Sequence, residues 1–335
     1  MQRNIIIIIL ANIFLFSCAP KKTINLKEKK AKEIHSQIVI DSNNLFLNPI
    51  SINYKDNKLF VIEDTKEGFI KIINLENNKI QTYGQTGQGP NDFPRTPDFI
   101  QTPIDEDIQL YASNKIYEYN KKNDIFSFKG NLTNSTVFPM NNIIKAGNKF
   151  HASITGEGRL YTYPSSPNLQ PIKQAFFEDY SNENIKGDIS LLYKAYLGAN
   201  YKSELFVVAY ERFNIIEIYN FDGELQTSID FSEKSQIGYS NGNIDLSQGY
   251  LYNISLSAND DYFYALYLGV KDQYANENID KINFYVNKFN WNGELVQVYK
   301  LDEIATSIAV DNNSSNVYYI NPMEYNNPIR KASLL

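Results

Sequence analysis

The chain has 335 residues, 43% of them hydrophobic, 25 tyrosines, 20 phenylalanines and a formal net charge of −6. Such a length buries a substantial core, in one large domain or two ordinary ones. The acidic balance excludes a general nucleic-acid binder, which needs a basic surface, and a single cysteine excludes an intrachain disulfide. Aromatic and β-branched residues, without alanine-rich amphipathic runs, favour strands over helices.

Met1 to Asn4 form a short basic start and Ile5 to Phe16 an apolar run too short for a spanning helix. This is the layout of a secretory signal, cleaved or retained as an anchor. Its end, Leu15-Phe16-Ser17-Cys18, resembles a bacterial lipobox. That resemblance implies removal of residues 1–17, lipidation of Cys18 and anchoring to a membrane by several acyl chains. Residues 18–36 are lysine-rich and poor in apolar side chains, which predicts a solvated tether. The folded domain is then 37–335.

Within it, Gln37 to Ile40 reads as an isolated short strand. Ser51 to Asn53, Leu59 to Glu63, Phe69 to Leu75 and Lys79 to Tyr83 make a four-strand meander. A second group runs through Asp98 to Gln101, Ile108 to Ala112, Lys115 to Tyr119 and Ile125 to Phe128. The third comprises Asn142 to Ile144, Lys149 to Ile154, Leu160 to Tyr163 and Ile172 to Phe177. The fourth holds Tyr193 to Leu197, Glu204 to Ala209, and a hairpin across Phe213 to Leu225 whose Asp222-Gly223 is a strong turn signal. The fifth repeats that hairpin at Phe284 to Leu295. The last group, Ser307 to Val310, Val317 to Ile320 and Ile329 to Ala332, is one strand short, and Gln37 to Ile40 can supply what it lacks.

The turn asparagines Asn74 and Asn120 lie about 45 residues apart, and propeller units repeat at roughly 40 to 50. Asn220 and Asn290 are farther apart, which implies loop insertions. Repetition of four-stranded units predicts an all-β fold: a six-bladed β-propeller of four-stranded antiparallel blades, closed by an N-terminal strand that joins the last blade. Closure pairs the edges an open sheet would expose. A pair of β-sandwiches is the runner-up, but no linker divides the chain.

After the first unit comes Gly84-Gln85-Thr86-Gly87-Gln88-Gly89-Pro90-Asn91-Asp92-Phe93, followed by Thr96-Pro97-Asp98-Phe99. This resembles the G-x-G-P-x-x-F stretch of TolB-like six-bladed β-propeller lipoproteins of Bacteroidetes, a likeness covering about residues 36 to 332. Glycines at Gly84, Gly87 and Gly89 permit positive φ and close approach, and Pro90 stiffens the exit. Two readings follow. In one, Gly84, Gly87, Gly89, Pro90, Asn91, Asp92 and Phe93 form a ligand-facing loop near the central channel. In the other they form a rigid connector anchored by Phe93. A phosphate loop is excluded, because no Gly-Lys-Ser/Thr follows and prolines block the helix it needs. Some lipoproteins of this phylum carry acidic export residues after the cysteine. Ala19-Pro20-Lys21-Lys22 lacks them, which implies an outer-membrane lipoprotein facing the periplasm.

Catalytic material is sparse. Only His35 and His151 are present, too few for a histidine metal site, and the Ser-His-Asp arrangement is equally short of parts. Sialidase Ser-x-Asp-x-Gly-x-x-Trp boxes are absent. A metal-dependent hydrolase or lactonase with channel carboxylates, Glu63 or Asp98 among them, is the alternative. A carbohydrate-binding accessory using tyrosines such as Tyr161 and Tyr163 is another. The preferred expectation is a non-catalytic module without a cofactor, binding a peptide or protein partner at one propeller face.

Overall fold

A computed structural model describes residues 19–41, 45–87, 89, 92–122, 125–134, 141–153, 158–164, 166–176 and 189–335. Cys18, Pro90 and Asn91 lie outside them. Three short strands come first: β1 (Lys21–Ile24), β2 (Lys32–Ile34) and β3 (Ser36–Ile38). A first antiparallel meander follows, β4 (Pro49–Lys55), β5 (Lys58–Glu63), β6 (Glu67–Asn74) and β7 (Ile80–Gln85). The second is β8 (Asp98–Gln101), β9 (Gln109–Ala112), β10 (Lys115–Asn120) and β11 (Ile125–Asn131). The third is β12 (Asn141–Ala146), β13 (Lys149–Ser153), β14 (Gly158–Tyr163) and β15 (Ile172–Phe176). A short parallel pairing of Ile100 and Gln101 with Ile143 and Ile144 joins these two at their first strands.

The fourth meander is β16 (Ala195–Asn200), β17 (Leu205–Tyr210), β18 (Ile215–Asn220) and β19 (Leu225–Phe231). A small hairpin, β20 (Tyr239–Ser240) and β21 (Asn243–Ile244), occupies the connector to the fifth. That fifth meander is β22 (Tyr250–Ala258), β23 (Tyr262–Lys271), β24 (Tyr285–Asn290) and β25 (Leu295–Leu301), with helix α1 (Asp272–Glu277) inserted after β23. The last sheet is β26 (Ile308–Val310), β27 (Asn316–Ile320) and β28 (Ile329–Ser333), and β3 is its fourth strand. Ile38 stands opposite Arg330 and Ser36 opposite Ala332 in an antiparallel pair. The strand expected at Gln37 to Ile40 does complete the final meander, over Ser36–Ile38 instead, starting one residue earlier and ending two earlier.

The repeated hairpin has one chemistry in both copies. Asn220 Oδ1 accepts from the amides of Asp222 and Glu224, at 3.1 and 2.9 Å, and Gly223 takes φ +85°. Asn290 Oδ1 accepts from Asn292 and Glu294 at the same distances, and Gly293 takes φ +80°. The asparagine closes the turn with its own carboxamide, and glycine supplies the left-handed backbone.

The lysine-rich stretch is not a solvated tether throughout. β1 runs parallel to β19, with Lys21 opposite Ser228 and Ile24 opposite Phe231. β2 runs parallel to β25, with Ile34 opposite Leu301. Ile34 is only 4% exposed, and Leu26 and Ala31 pack against the core between the fourth and fifth meanders. Composition missed this because an edge strand is covered on one side only. Its lysines face water and protect the edge, the usual device at sheet margins.

Apolar clusters fill the spaces between successive meanders. Phe69 meets Tyr117, Ile100 meets Ala152, Leu160 meets Phe206, Ile218 meets Phe263, and Val286 meets Tyr319. A further cluster sets Ile52 and Val61 of the first meander against Tyr318 and Ile329 of the last. Tyr161 and Tyr163 are buried in this packing, so they form no surface patch for a sugar.

Candidate functional site

Each meander's first strand starts at one face of the molecule, here the leading face, and ends at the opposite, trailing face. Strands β4, β8, β12, β16, β22 and β26 all contribute residues to one cavity of about 310 Å³. Side-chain oxygens bridge neighbouring first strands where no backbone ladder does. Ser307 Oγ accepts from the Ile52 amide at 3.2 Å, Ser255 Oγ from Ile308 at 3.1 Å, and Ser257 Oγ from Val310 at 3.0 Å. These bonds satisfy amides that would otherwise be stranded. At Gly198 a Cβ would lie 2.3 Å from Leu256 Cδ2, so only glycine lets β16 approach β22 this closely.

The leading mouth is charged. Asp98 lines it with Asn142, Lys194 and Tyr196. Burial pushes the Asp98 carboxyl up to about 6, against the opposing pull of Arg95 and Lys194. Lys194 Nζ lies 2.6 Å from Glu211 Oε2, and the Tyr196 hydroxyl donates to the same oxygen at 3.1 Å. Glu211 also pairs with Arg212 at 3.3 Å, and Arg212 with Asp272 at 2.7 Å. The chain of alternating charge leads from the mouth to the start of α1.

Side chains cross the trailing end. Gln101 Oε1 accepts from the Ala199 amide at 2.9 Å, and its Nε2 donates to Ala258 O at 3.4 Å. Tyr201 donates to Gln101 O at 2.7 Å. Buried Lys55 donates to Pro103 O at 2.8 Å and Thr102 Oγ1 at 3.3 Å, and burial lowers its pKa. The cavity is a polar cup, charged at its leading end and crossed by amide and phenol groups at its trailing end.

No family model matches this sequence, and no curated protein matches it. Solved structures do. A member of the DUF4221 family from Bacteroides vulgatus superposes with a TM-score of 0.56 at 12% identity, covering 91% of this chain and 96% of that one. The RRP9 WD40 repeats give 0.52 at 8%, covering 91% and 100%. A calcium-binding protein, regucalcin, from Agrobacterium tumefaciens gives 0.50 at 7%, covering 95% and 96%. The fold is a β-propeller. At these identities the likeness concerns the fold alone.

On the propeller, the glycine-rich loop lies away from the cup. Phe93 is 1% exposed and packs on Tyr117 at 4.4 Å, Phe69 at 6.1 Å and Phe126 at 6.5 Å between ring centroids, all on third and fourth strands. The Gly87 amide donates to Phe93 O at 3.1 Å and the Gly89 amide to Asp92 Oδ2 at 2.8 Å. Those donors are engaged within the loop, and none of Gly84, Gly87, Gly89, Asp92 or Phe93 lines the cup. The described part of the loop has the geometry of a connector.

Of the two carboxylates considered from sequence, Asp98 faces the cup, whereas Glu63 is buried elsewhere. Glu63 accepts from the Leu47 amide at 2.6 Å and pairs with Lys71 at 3.4 Å. Among the described residues no group of three or more His, Cys, Asp or Glu side chains is placed to share a metal ion. His151 is packed: Thr162 Oγ1 lies 2.8 Å from Nδ1 and Phe221 O lies 3.0 Å from Nε2. Sequence reading missed Lys55, Gln101, Tyr196 and Tyr201. Lys55, Gln101 and Tyr196 share a position on first strands and Tyr201 directly follows one, which emerges only once strand boundaries are known.

Proposed function

We propose that this chain is a lipid-anchored, TolB-like propeller of six closed blades that binds a peptide or protein partner at its leading face, without covalent chemistry. Closure is supported by the apolar cluster between the first and last meanders and by β3 completing the last sheet.

The observation that carries the binding reading is coincidence on one face. The charged end of the cavity lies there, and Leu47, Ile50, Leu191, Met323 and Tyr325 are exposed on the same side, Leu47 at 73% and Tyr325 at 74%. A polar recess edged by apolar side chains suits a peptide that inserts one polar residue and lays apolar neighbours on the rim.

Anchoring through Cys18 gives the face its orientation. Pro20 O already accepts from the Ser228 amide at 3.2 Å, so only a short link separates Cys18 from the fold, with a reach of about 10 Å. Because β1 parallels β19, the chain arrives from the trailing side. The trailing face then lies toward the outer-membrane bilayer and the leading face points into the periplasm.

A photo-crosslinking residue placed at Leu47, Leu191 or Tyr325, and as controls at Ile104 and Leu169 on the trailing face, tests the reading in intact cells. One recurrent protein product from leading-face positions alone supports it. Equal products from both faces, or none, overturn it. Fractionation of Cys18→Ser tests the anchor, which predicts release of the variant from the membrane fraction.

A further inference from the structure

Two lysines and two carboxylates line the central cup: Lys55, Lys194, Asp98 and Asp260. Both lysines are engaged. Lys194 Nζ sits 2.6 Å from Glu211 Oε2, and Lys55 donates to Pro103 O and Thr102 Oγ1. Asp98 is different. Among the described residues neither a hydrogen bond nor an ion pair reaches its carboxylate; Arg95 and Lys194 act on it through Coulombic attraction without bonding to it. Arg95 is exposed and does not line the cup.

The polar donors around Asp98 are spent on the protein itself. Tyr196 donates to Glu211, Asn142 Nδ2 donates to Ala195 O at 3.3 Å, and Gln101 Nε2 donates to Ala258 O. What the leading end offers a ligand is therefore an acceptor, the Asp98 carboxylate. A partly buried carboxylate that faces a cavity unpaired is costly until a donor reaches it. Ile143, Leu197 and Ile254 line the same cavity, so an alkyl stem finds apolar wall beside the charge.

We propose that the cup takes a basic side chain of the partner, lysine or arginine, with its cationic head on Asp98 and its methylene stem against Ile143, Leu197 and Ile254. The proposal rests on the peptide-binding reading above and names the residue that the peptide inserts. An acidic head is opposed, because it would have to take Lys194 from Glu211 while lying close to Asp98. A divalent metal ion such as calcium takes six to eight oxygen ligands, and among the described residues no three acidic or histidine side chains converge to supply them.

Three probes of one chain length test this on the full mature protein by ligand-observed NMR: n-butylammonium, n-butanol and butyrate. At pH 7.5 n-butylammonium is expected to bind about tenfold more tightly than either other probe. Burial holds the Asp98 carboxyl up at about 6, so its ionised fraction falls about tenfold between pH 7.5 and 5, and n-butylammonium affinity is expected to fall with it. Asp98→Asn leaves the neighbouring Arg95, Lys194, Tyr111 and Tyr196 in place. That variant is expected to bind n-butylammonium no better than n-butanol and to lose the pH dependence. Equal binding of butyrate and n-butylammonium overturns the proposal, as does undiminished n-butylammonium binding by a folded Asp98→Asn protein. Absence of any n-butylammonium signal at about 10 mM overturns it too. Crosslinking separates this proposal from the reading it rests on. Undiminished leading-face products in Asp98→Asn cells keep the peptide reading and overturn the basic side chain. Amine binding through Asp98 with no crosslinked product keeps the cation site and overturns the peptide reading.

Discussion

Gln101 reaches across the cup to Ala258, a residue of the fifth meander, with its Nε2 3.4 Å from the Ala258 carbonyl oxygen. The same side chain accepts from Ala199 in the fourth. One carboxamide therefore ties the second meander to two others and floors the cavity. Gln101→Ala strands the Ala199 amide and is expected to destabilise the domain by about 1–3 kcal/mol. Gln101→Glu keeps the acceptor but sets a carboxylate oxygen against the Ala258 carbonyl, and is expected to cost at least as much at neutral pH. Urea midpoints of the two variants check this. Unchanged midpoints show that the bridge is not made in solution.

The N-terminal segment contributes in two separable ways. β3 completes the last sheet, whereas β1 and β2 only thicken the edges of the fourth and fifth. Removing residues 19–31 takes away the partly buried Leu26 and Ala31 and uncovers the core they pack against, and is expected to lower the melting temperature by about 5–10 °C. Removing residues 19–38 also strips the strand that pairs with Arg330 to Ala332 and takes buried Ile34 out of its cluster. It is expected to abolish the single cooperative transition. Calorimetry of both truncations is the check, and equal melting of the two would separate β3 from any closing role.

The difference between those segments explains what was legible in the sequence. Strands with two neighbours need alternating or continuous apolar residues, and the meanders announced themselves that way. Asn-x-Asp/Asn-Gly turns fixed the hairpins because each uses its own asparagine side chain. β1 needs only Ile24 and a neighbouring backbone, so Lys21-Lys22-Thr23 reads as solvated chain. The cup was illegible for another reason. Gln101, Tyr196 and Lys55 are far apart in sequence and ordinary in type, and only the meeting of the first strands puts them together.

Two buried titrating groups give opposite pH dependence. Burial lowers the His151 imidazole to about 4, so its contribution is complete above the unfolded value near 6.5 and is lost as pH falls toward 4. Asp98 behaves the other way, since its carboxyl is raised to about 6. Its folded state holds the proton more tightly, so stability from this group is present below about 3.8 and lost as pH rises through 6. Asp98→Asn is expected to exceed the wild type at pH 7.5 by on the order of 2 kcal/mol, with the gain vanishing near pH 3.8. His151→Gln is expected to trail the wild type at pH 7.5 and to close that gap by pH 4.5. Urea unfolding across this range decides both. A pH-independent gain for Asp98→Asn would mean the carboxyl titrates normally.

The glycine-rich loop provides the last test, because a connector and a ligand loop respond differently to substitution. Gly84 takes φ +83°, and a Cβ there would lie 2.9 Å from Phe93 Cε2. Gly84→Ala therefore combines left-handed strain with displacement of a buried ring, and is expected to cost about 1–3 kcal/mol. Phe93→Ala empties the space among Phe69, Tyr117 and Phe126 and is expected to cost about 3–5 kcal/mol. Asp92→Ala removes the acceptor of the Gly89 amide and is expected to cost about 1 kcal/mol. If the loop is a connector, each variant lowers stability, Phe93→Ala most and Asp92→Ala least, and the leading-face crosslinks persist at temperatures where the variant is folded. Loss of crosslinking in a fully folded Asp92→Ala protein, with its stability unchanged, would instead return the loop to the binding surface.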